Sequence, residues 1–318
     1  MRDDKVKVLY IAGGWRSGST LLDNVLGQIE GFFSGGEIVH VWEENFLEDR
    51  VCGCGAAFRE CPVWRRVTGE AYGDADLVDA EEMVRLLYSS VRTRHVPLML
   101  MPGGRALLKA RLRWYLDNLE KLYQGIGSAT GSRVVVDSSK APLYGYMLET
   151  IPSIDLYVVH LVRDPRAVAY SWLRKKWQPD KGFSLPIYSP VRSALTWDVM
   201  NLIIECFRRR SPGRYLKVRY EDFMNDPKET VGRILDLVQK EVPPLPFLAD
   251  HRVELGTNHT VSGNPVRFMT GTVELKLDDE WQEKMKRSDK NTVTGLTLPL
   301  LFRYGYLEDA WAIVFRGR

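Results

Sequence analysis

The chain has 318 residues, with 44 Lys and Arg against 41 Asp and Glu, for a net charge of +3. Its 45% hydrophobic and 27% charged residues are the balance of a soluble globular protein, long enough for one large α/β domain or two smaller ones. So small a net charge makes no case for nucleic acid, four cysteines make no disulfide scaffold, and no run reaches the ~18 apolar residues of a membrane span.

Strand-like sequence begins at about Lys5 with no apolar leader before it, so the expectation is a cytoplasmic enzyme without a signal peptide. The apolar, β-branched run Lys5–Ala12 ends in Gly13-Gly14-Trp15-Arg16-Ser17-Gly18-Ser19-Thr20, which opens directly into a helical pattern. This is the strand–loop–helix layout of a phosphate-cradling loop, whose backbone amides and helix N-terminus make an anion site. Gly13 and Gly18 fit the G-x-x-x-x-G frame and Thr20 its hydroxyl position, but Ser19 stands where the nucleotide-triphosphatase motif needs Lys. The nearest cation is Arg16, inside the loop, so a phosphate-bearing ligand is expected without ordinary Mg-ATP chemistry.

A helix is predicted from Glu37 to about Asp49, then a Gly- and Cys-rich loop from Val51 to Pro62. Helical spacing dominates 78–127, split into two pieces by Pro97, Pro102 and Gly103-Gly104. The basic clusters at 109–113, 174–176 and 208–210 read as solvated helix faces. Strands follow at Arg133–Asp137, Leu156–Val162 and Tyr215–Arg219. Helices are expected after Pro142, after Pro165, around 190–210 and from Asp226-Pro227 to about Lys240.

Strands alternating with helices predict an α/β fold, a parallel sheet flanked by helices, with ligands at the carboxyl ends of the strands. Arg16, Lys140 and Arg163 all fall at such ends. With no linker or repeat in sight, 1–318 reads as a single domain, and Tyr88, Met99, Met101, Trp114, Tyr115 and Tyr123 of its mainly helical insertion at about 51–130 read either as shaping a substrate pocket or as plain helical core. The segment 177–190, with Trp177, Pro179, Phe183 and Tyr188, reads as a lid. Cys52, Cys54 and Cys61 lie within ten residues; C-x-C misses the usual zinc spacing, though His40 or Cys206 could complete a site. The loop is therefore read as structural or redox-labile, and no metal is assigned.

Two motifs at a fixed relation carry a resemblance. Gly-x-x-Arg16-Ser17-Gly18-Ser19-Thr20-Leu-Leu, together with Val162-Arg163-Asp-Pro-Arg-Ala-Val-Ala-x-Ser171, resembles the sulfotransferases that use 3′-phosphoadenosine 5′-phosphosulfate (PAPS). The resemblance implies their P-loop-like fold, with the first loop (Gly14 to Thr20) holding the 5′-phosphosulfate and Arg163 with Ser171 holding the 3′-phosphate. It also implies that Gly263 and Arg267, in the late segment His259–Phe268, close over the nucleotide. The tyrosylprotein sulfotransferases resemble the chain further, with a Gly-Glu pair at the Arg16-to-Glu37 interval, which implies Glu37 as general base. Lys140 in Lys-x-Pro implies a contact to the transferring sulfuryl group, with Asp137 as a rival base or as an orienter of Lys140. The Lys-Thr-His segment of the phenol and steroid sulfotransferases is missing. Tyr220, at a strand-to-helix junction, reads as structural.

The resulting expectation is in-line sulfuryl transfer to a hydroxyl of a small molecule or carbohydrate, with adenosine 3′,5′-bisphosphate as product and no metal requirement. Nucleic acid and membrane are not expected partners. A kinase-like phosphotransferase and a non-catalytic adenosine-bisphosphate-binding module are the rival readings.

Overall fold

Alternation decides the place of the first strand. In Val6–Gly13 (β1), Val8, Tyr10 and Ala12 pack into one apolar cluster and Leu9 and Ile11 into another, all fully buried. A strand buried on both faces belongs in the middle of a covered sheet. The computed structural model, which describes residues 5–91, 95–175, 177–178, 182–239 and 243–307, has it there. With Phe32–Ser34 (β2), Val134–Lys140 (β3), Ile154–Val162 (β4) and Tyr215–Arg219 (β5), it forms a parallel sheet in the order β2-β3-β1-β4-β5.

One face carries the larger core, built with helices Pro62–Tyr72, Ala80–Ser90, Arg113–Thr130, Pro142–Leu148 and Pro190–Arg210. The other carries helices Ser19–Leu26 and Pro227–Val238 with a small antiparallel sheet of Phe247–Ala249, Arg252–Leu255 and Gly271–Glu274. This is the expected α/β architecture. Four of the five strands lie within two residues of their predicted starts. The three-residue β2, the small sheet and the helix Arg287–Arg303 were not foreseen.

Two local differences have physical reasons. Glu37–Asp49 is not one α-helix but a 3₁₀ turn, Ile38–His40, running into a π-helix, Val41–Leu47. The Glu37 amide donates to the Ser262 carbonyl and the Val39 amide to Ser139 Oγ, so these donors are committed outside the helix. Among the described residues the 78–127 region holds four helices rather than two: beside the break expected at Gly103, with φ of 75°, Leu112 parts Gly104–Arg111 from Arg113–Thr130, and Ala80–Ser90 is separate from Val96–Leu100. Lys176, Pro179 and Lys240 of the sequence reading lie outside the described residues. Among the described residues no helix is long and apolar enough to cross a membrane.

Candidate active site

The carboxyl ends of β1, β3 and β4 open into a cleft of about 330 Å³. Its floor is the loop after β1. Arg16 and Gly18 both take left-handed backbone, with φ of 68° and 89°, a conformation that turns successive amides toward one point and makes a concave anion site. Only glycine fits at 18, because a Cβ there would sit 2.6 Å from the Tyr220 ring. The helix that follows begins at Ser19 with its first amides facing the loop.

Arg16 is the loop's cation. Its Nε and Nη2 are buried with no hydrogen-bond partner among the described residues, and its guanidinium lies 5.0 Å from the centre of the Trp172 ring. Burial, then the neighbouring guanidiniums of Arg174 and Arg163, pull its pKa below the ordinary arginine value, while Glu37 opposes them. Buried cationic nitrogens crowded by like charge are stabilised by an incoming anion.

Lys140 reaches the same cleft through an irregularity in its strand. The β1–β3 register slips between the pairs Tyr10–Asp137 and Ala12–Lys140, and Lys140 itself has φ of 64°. The slip re-aims the strand end, as bulges do beside active sites. Lys140 Nζ then donates to Glu37 Oε1 at 2.6 Å, to Ser19 Oγ at 3.2 Å and to the Ser138 carbonyl at 3.0 Å. The pair is mostly buried, with side chains 6% and 16% exposed. Glu37 Oε2 is 3.8 Å from His40 Nε2.

Arg163 directly follows β4, beneath the loop. Its Nη1 donates to the Arg16 carbonyl at 3.1 Å, its Nη2 to Asp278 Oδ2 at 2.9 Å, and its guanidinium lies 4.3 Å from the Tyr220 ring centre. Ser171, two turns into helix Pro165–Leu173, lines the cleft with it. The opposite wall comes from Gly263, Asn264 and Val266, tied to the loop helix by a bond from Asn24 Nδ2 to the Val266 carbonyl at 3.0 Å. Trp15, Leu21, Trp172, Gln178, Leu185 and Tyr220 complete the lining.

The cleft thus gathers Trp15, Arg16, Gly18, Ser19, Thr20, Glu37, Lys140, Arg163, Ser171 and Gly263 from distant parts of the chain. Four expected residues stand elsewhere. Gly14 lies behind the loop against Trp197, and Ser17 is buried under it. Arg267 is 1% exposed and does not line the cleft, because its guanidinium donates to the Thr260 and Val51 carbonyls at 2.9 Å each. Asp137 is fully buried behind Lys140, accepting from Tyr123 Oη at 2.5 Å, the Ser139 amide at 2.9 Å and the Ser139 hydroxyl. That environment suits an orienter of the strand end.

The six residues read as pocket or helical core also fall outside the cleft lining. Tyr115, Tyr123 and Met99 belong to the core, while Tyr88, Met101 and Trp114 are exposed. From the 177–190 segment the cleft takes Gln178 and Leu185. Sequence reasoning missed both of these and gave Tyr220 too small a role. The requirement for a glycine at 18, opposite an aromatic junction residue, was the available signal.

This geometry suits an anionic ligand, and comparison with known proteins gives the class. Residues 9–244 match the sulfotransferase family model, and the chain belongs to the sulfotransferase family. It is 25% identical over 307 residues to carbohydrate sulfotransferase 2 of Mus musculus and, equally, of Homo sapiens. The alignment covers 76% of this chain and 54% of theirs, so the chain spans about half the length of the curated relatives it matches. The fold is similar to the sulfotransferase domain of the Synechococcus PCC 7002 olefin synthase, with a TM-score of 0.52 and 21% identity over 93% of this chain and 94% of that one.

Proposed function

We propose that the protein is a PAPS-dependent sulfotransferase acting on a hydroxyl of a carbohydrate or other small acceptor. The observation that carries this reading is the Glu37–Lys140 pair at 2.6 Å in the same cleft as the unpartnered, buried donors of Arg16. A carboxylate that can take a proton and cations that can follow negative charge stand side by side. The name of the mammalian relatives favours a carbohydrate acceptor.

The residues fit such a donor. The left-handed turn at Arg16 and Gly18, the amides at Ser19 and Thr20, and the free donors of Arg16 suit its phosphosulfate. Arg163 and Ser171 suit a second phosphate, which would displace Asp278 from the guanidinium. When bound, the donor supplies a sulfuryl group already attached to a good leaving group.

The chain's part is positioning and charge. Lys140 donates to Glu37 Oε1 and so orients the carboxylate that would take the acceptor's proton. Once Glu37 is protonated, its attraction for the ammonium falls, and Lys140 can turn toward negative charge building in the cleft. Arg16, desolvated beneath it, acts on the same charge without reorganisation. Trp15 and Trp172, with ring centres 6.4 Å apart and edge to face, form an aromatic wall for the donor's base. The helical segment at about 51–130 stays an acceptor-shaping region in this proposal, acting from outside the cleft proper.

The test is transfer of sulfur-35 from labelled PAPS to a panel of saccharides, phenols and alcohols. Transfer to at least one hydroxyl acceptor, reduced by 10²–10³ in Glu37→Gln with donor binding kept, is the expected outcome. Tight donor binding with no transfer to any acceptor would replace it with the binding-module reading.

A further inference from the structure

Outside the cleft, the fold brings together a set of metal-ligating side chains. Cys52, Cys54 and Cys61 lie in the loop that precedes helix Pro62–Tyr72, and His259 reaches them from a segment about 200 residues later. Their four ligand atoms all lie within 4.8 Å of one another. His40 and Cys206, the fourth ligands the sequence offered, are not part of the cluster.

We infer that Cys52, Cys54, Cys61 and His259 form a structural zinc site that clamps the 51–61 loop to the 256–264 loop. The distances fit a tetrahedral ion. Zn–S bonds of about 2.3 Å and Zn–N bonds of about 2.1 Å put neighbouring ligand atoms roughly 3.6–3.8 Å apart. Cys54 Sγ is 3.7 Å from Cys61 Sγ, Cys52 Sγ is 3.8 Å from His259 Nδ1, and Cys61 Sγ is 3.3 Å from the same nitrogen. A disulfide between Cys54 and Cys61 would need a separation of about 2 Å and would leave one thiol and the imidazole without a role. Three thiolates and a neutral imidazole fill all four positions, which is a closed structural set with no open site for catalysis. Binding releases the three thiol protons to solvent and leaves the centre with one negative charge.

The C-x-C spacing works because the turn is tight and pressed against its partner. Gly55 N donates to the Cys52 carbonyl at 2.8 Å, folding 52–55 into a knuckle. Gly53 has no room for a side chain, since a Cβ would sit 2.0 Å from Asn258 Oδ1. The surrounding bonds already join the two loops. Gly53 N donates to the Thr260 carbonyl at 2.9 Å, Trp64 Nε1 to the His259 carbonyl at 2.7 Å, and Arg267 bridges Val51 and Thr260.

The clamp has a consequence for the cleft. The clamped loop runs on to Ser262, whose carbonyl accepts the Glu37 amide at 3.1 Å and whose hydroxyl donates to Glu44 at 2.7 Å, and then to the cleft residues Gly263 and Asn264. A metal at the cluster therefore fixes the backbone on which Glu37 stands.

The experiment is elemental analysis of the full chain purified under reducing conditions with zinc supplied, beside titration of its thiols with a mercurial in the presence of a zinc indicator. One zinc per chain, released as the thiols are titrated, is expected. Cobalt-loaded protein should show the visible bands of a tetrahedral, thiolate-rich centre. Cys54→Ser and His259→Ala should lose the metal and melt at lower temperature. Should those variants fail to fold, release from the wild type still decides the matter. Folded wild-type protein that stays free of zinc after supplementation, a Cys54–Cys61 disulfide in that protein, or zinc content unchanged in both variants would each overturn the site.

Discussion

Asp23 is a carboxyl held in the wrong solvent, and its substitution gives a quantitative test of the fold around the loop. It is fully buried on helix Ser19–Leu26, where Ser34 Oγ of β2 donates to Oδ1 and Ser138 Oγ of β3 donates to Oδ2, each at 2.6 Å. Burial pushes its pKa up from 3.8 to about 7, with the two hydroxyls opposing. The native state therefore holds a proton that the unfolded state gives up between about pH 4 and pH 7, so the associated stability is present below pH 4 and is lost as pH rises through about 7. The full titration corresponds to about 4 kcal/mol, of which about 2–3 kcal/mol is expressed between pH 5 and pH 8. Asp23→Asn carries no titrating group at that position. Urea unfolding of both proteins at pH 5 and pH 8 should show the wild type losing about 2–3 kcal/mol relative to the variant across that interval. Asp137, pushed up to about 6 by burial, and His160, pulled down to about 4 by burial, titrate in both proteins and largely cancel. A difference that stays constant between the two pH values, or that grows in favour of the wild type as pH rises, would refute the buried, protonated carboxyl.

Other consequences are more direct. Lys140→Met leaves Glu37 without its 2.6 Å partner and should lower kcat by 10²–10³ in the sulfur-35 assay, with a smaller effect on donor KM. Gly18→Ala forces a side chain to within 2.6 Å of the Tyr220 ring at a left-handed φ, and should weaken donor binding at least tenfold by calorimetry, while circular dichroism shows the fold retained. Arg163→Ala should raise donor KM far more than it lowers kcat, since Arg163 lies beneath the loop beside Ser171. Arg267→Met removes a buried guanidinium that holds the Val51 and Thr260 carbonyls, so it should cost about 2–4 kcal/mol in unfolding experiments without a selective effect on donor KM.

What could be read from the sequence depended on how local the signal was. The loop from Gly13 to Thr20 and the Arg163–Ser171 pair are contiguous patterns, and the structure brings Trp15, Arg16, Gly18, Ser19 and Thr20 of the first and both residues of the second into one cleft with Glu37 and Lys140. The parallel sheet was legible because β1, β3 and β4 are rich in β-branched residues and buried on both faces. β2 was not, because three residues carry no period. Arg267 illustrates the converse, for a basic residue beside a glycine loop looks the same in sequence whether it faces a cleft or two buried carbonyls. The Cys–His cluster was hidden for a third reason: its fourth member lies about 200 residues away and is brought in by tertiary contacts such as the packing of Gly53 on Asn258 and the bond from Trp64 to the His259 carbonyl.

The central proposal is that the cleft grips a nucleotide by two separated anionic groups, and one titration tests it most directly. Calorimetry of the purified chain with adenosine 3′,5′-bisphosphate, beside 5′-AMP and ATP, should give micromolar binding of the bisphosphate, much weaker binding of 5′-AMP, and loss of that preference in Arg163→Ala. ATP binding as tightly as the bisphosphate, or more tightly, would contradict the donor assignment and restore the phosphotransferase reading.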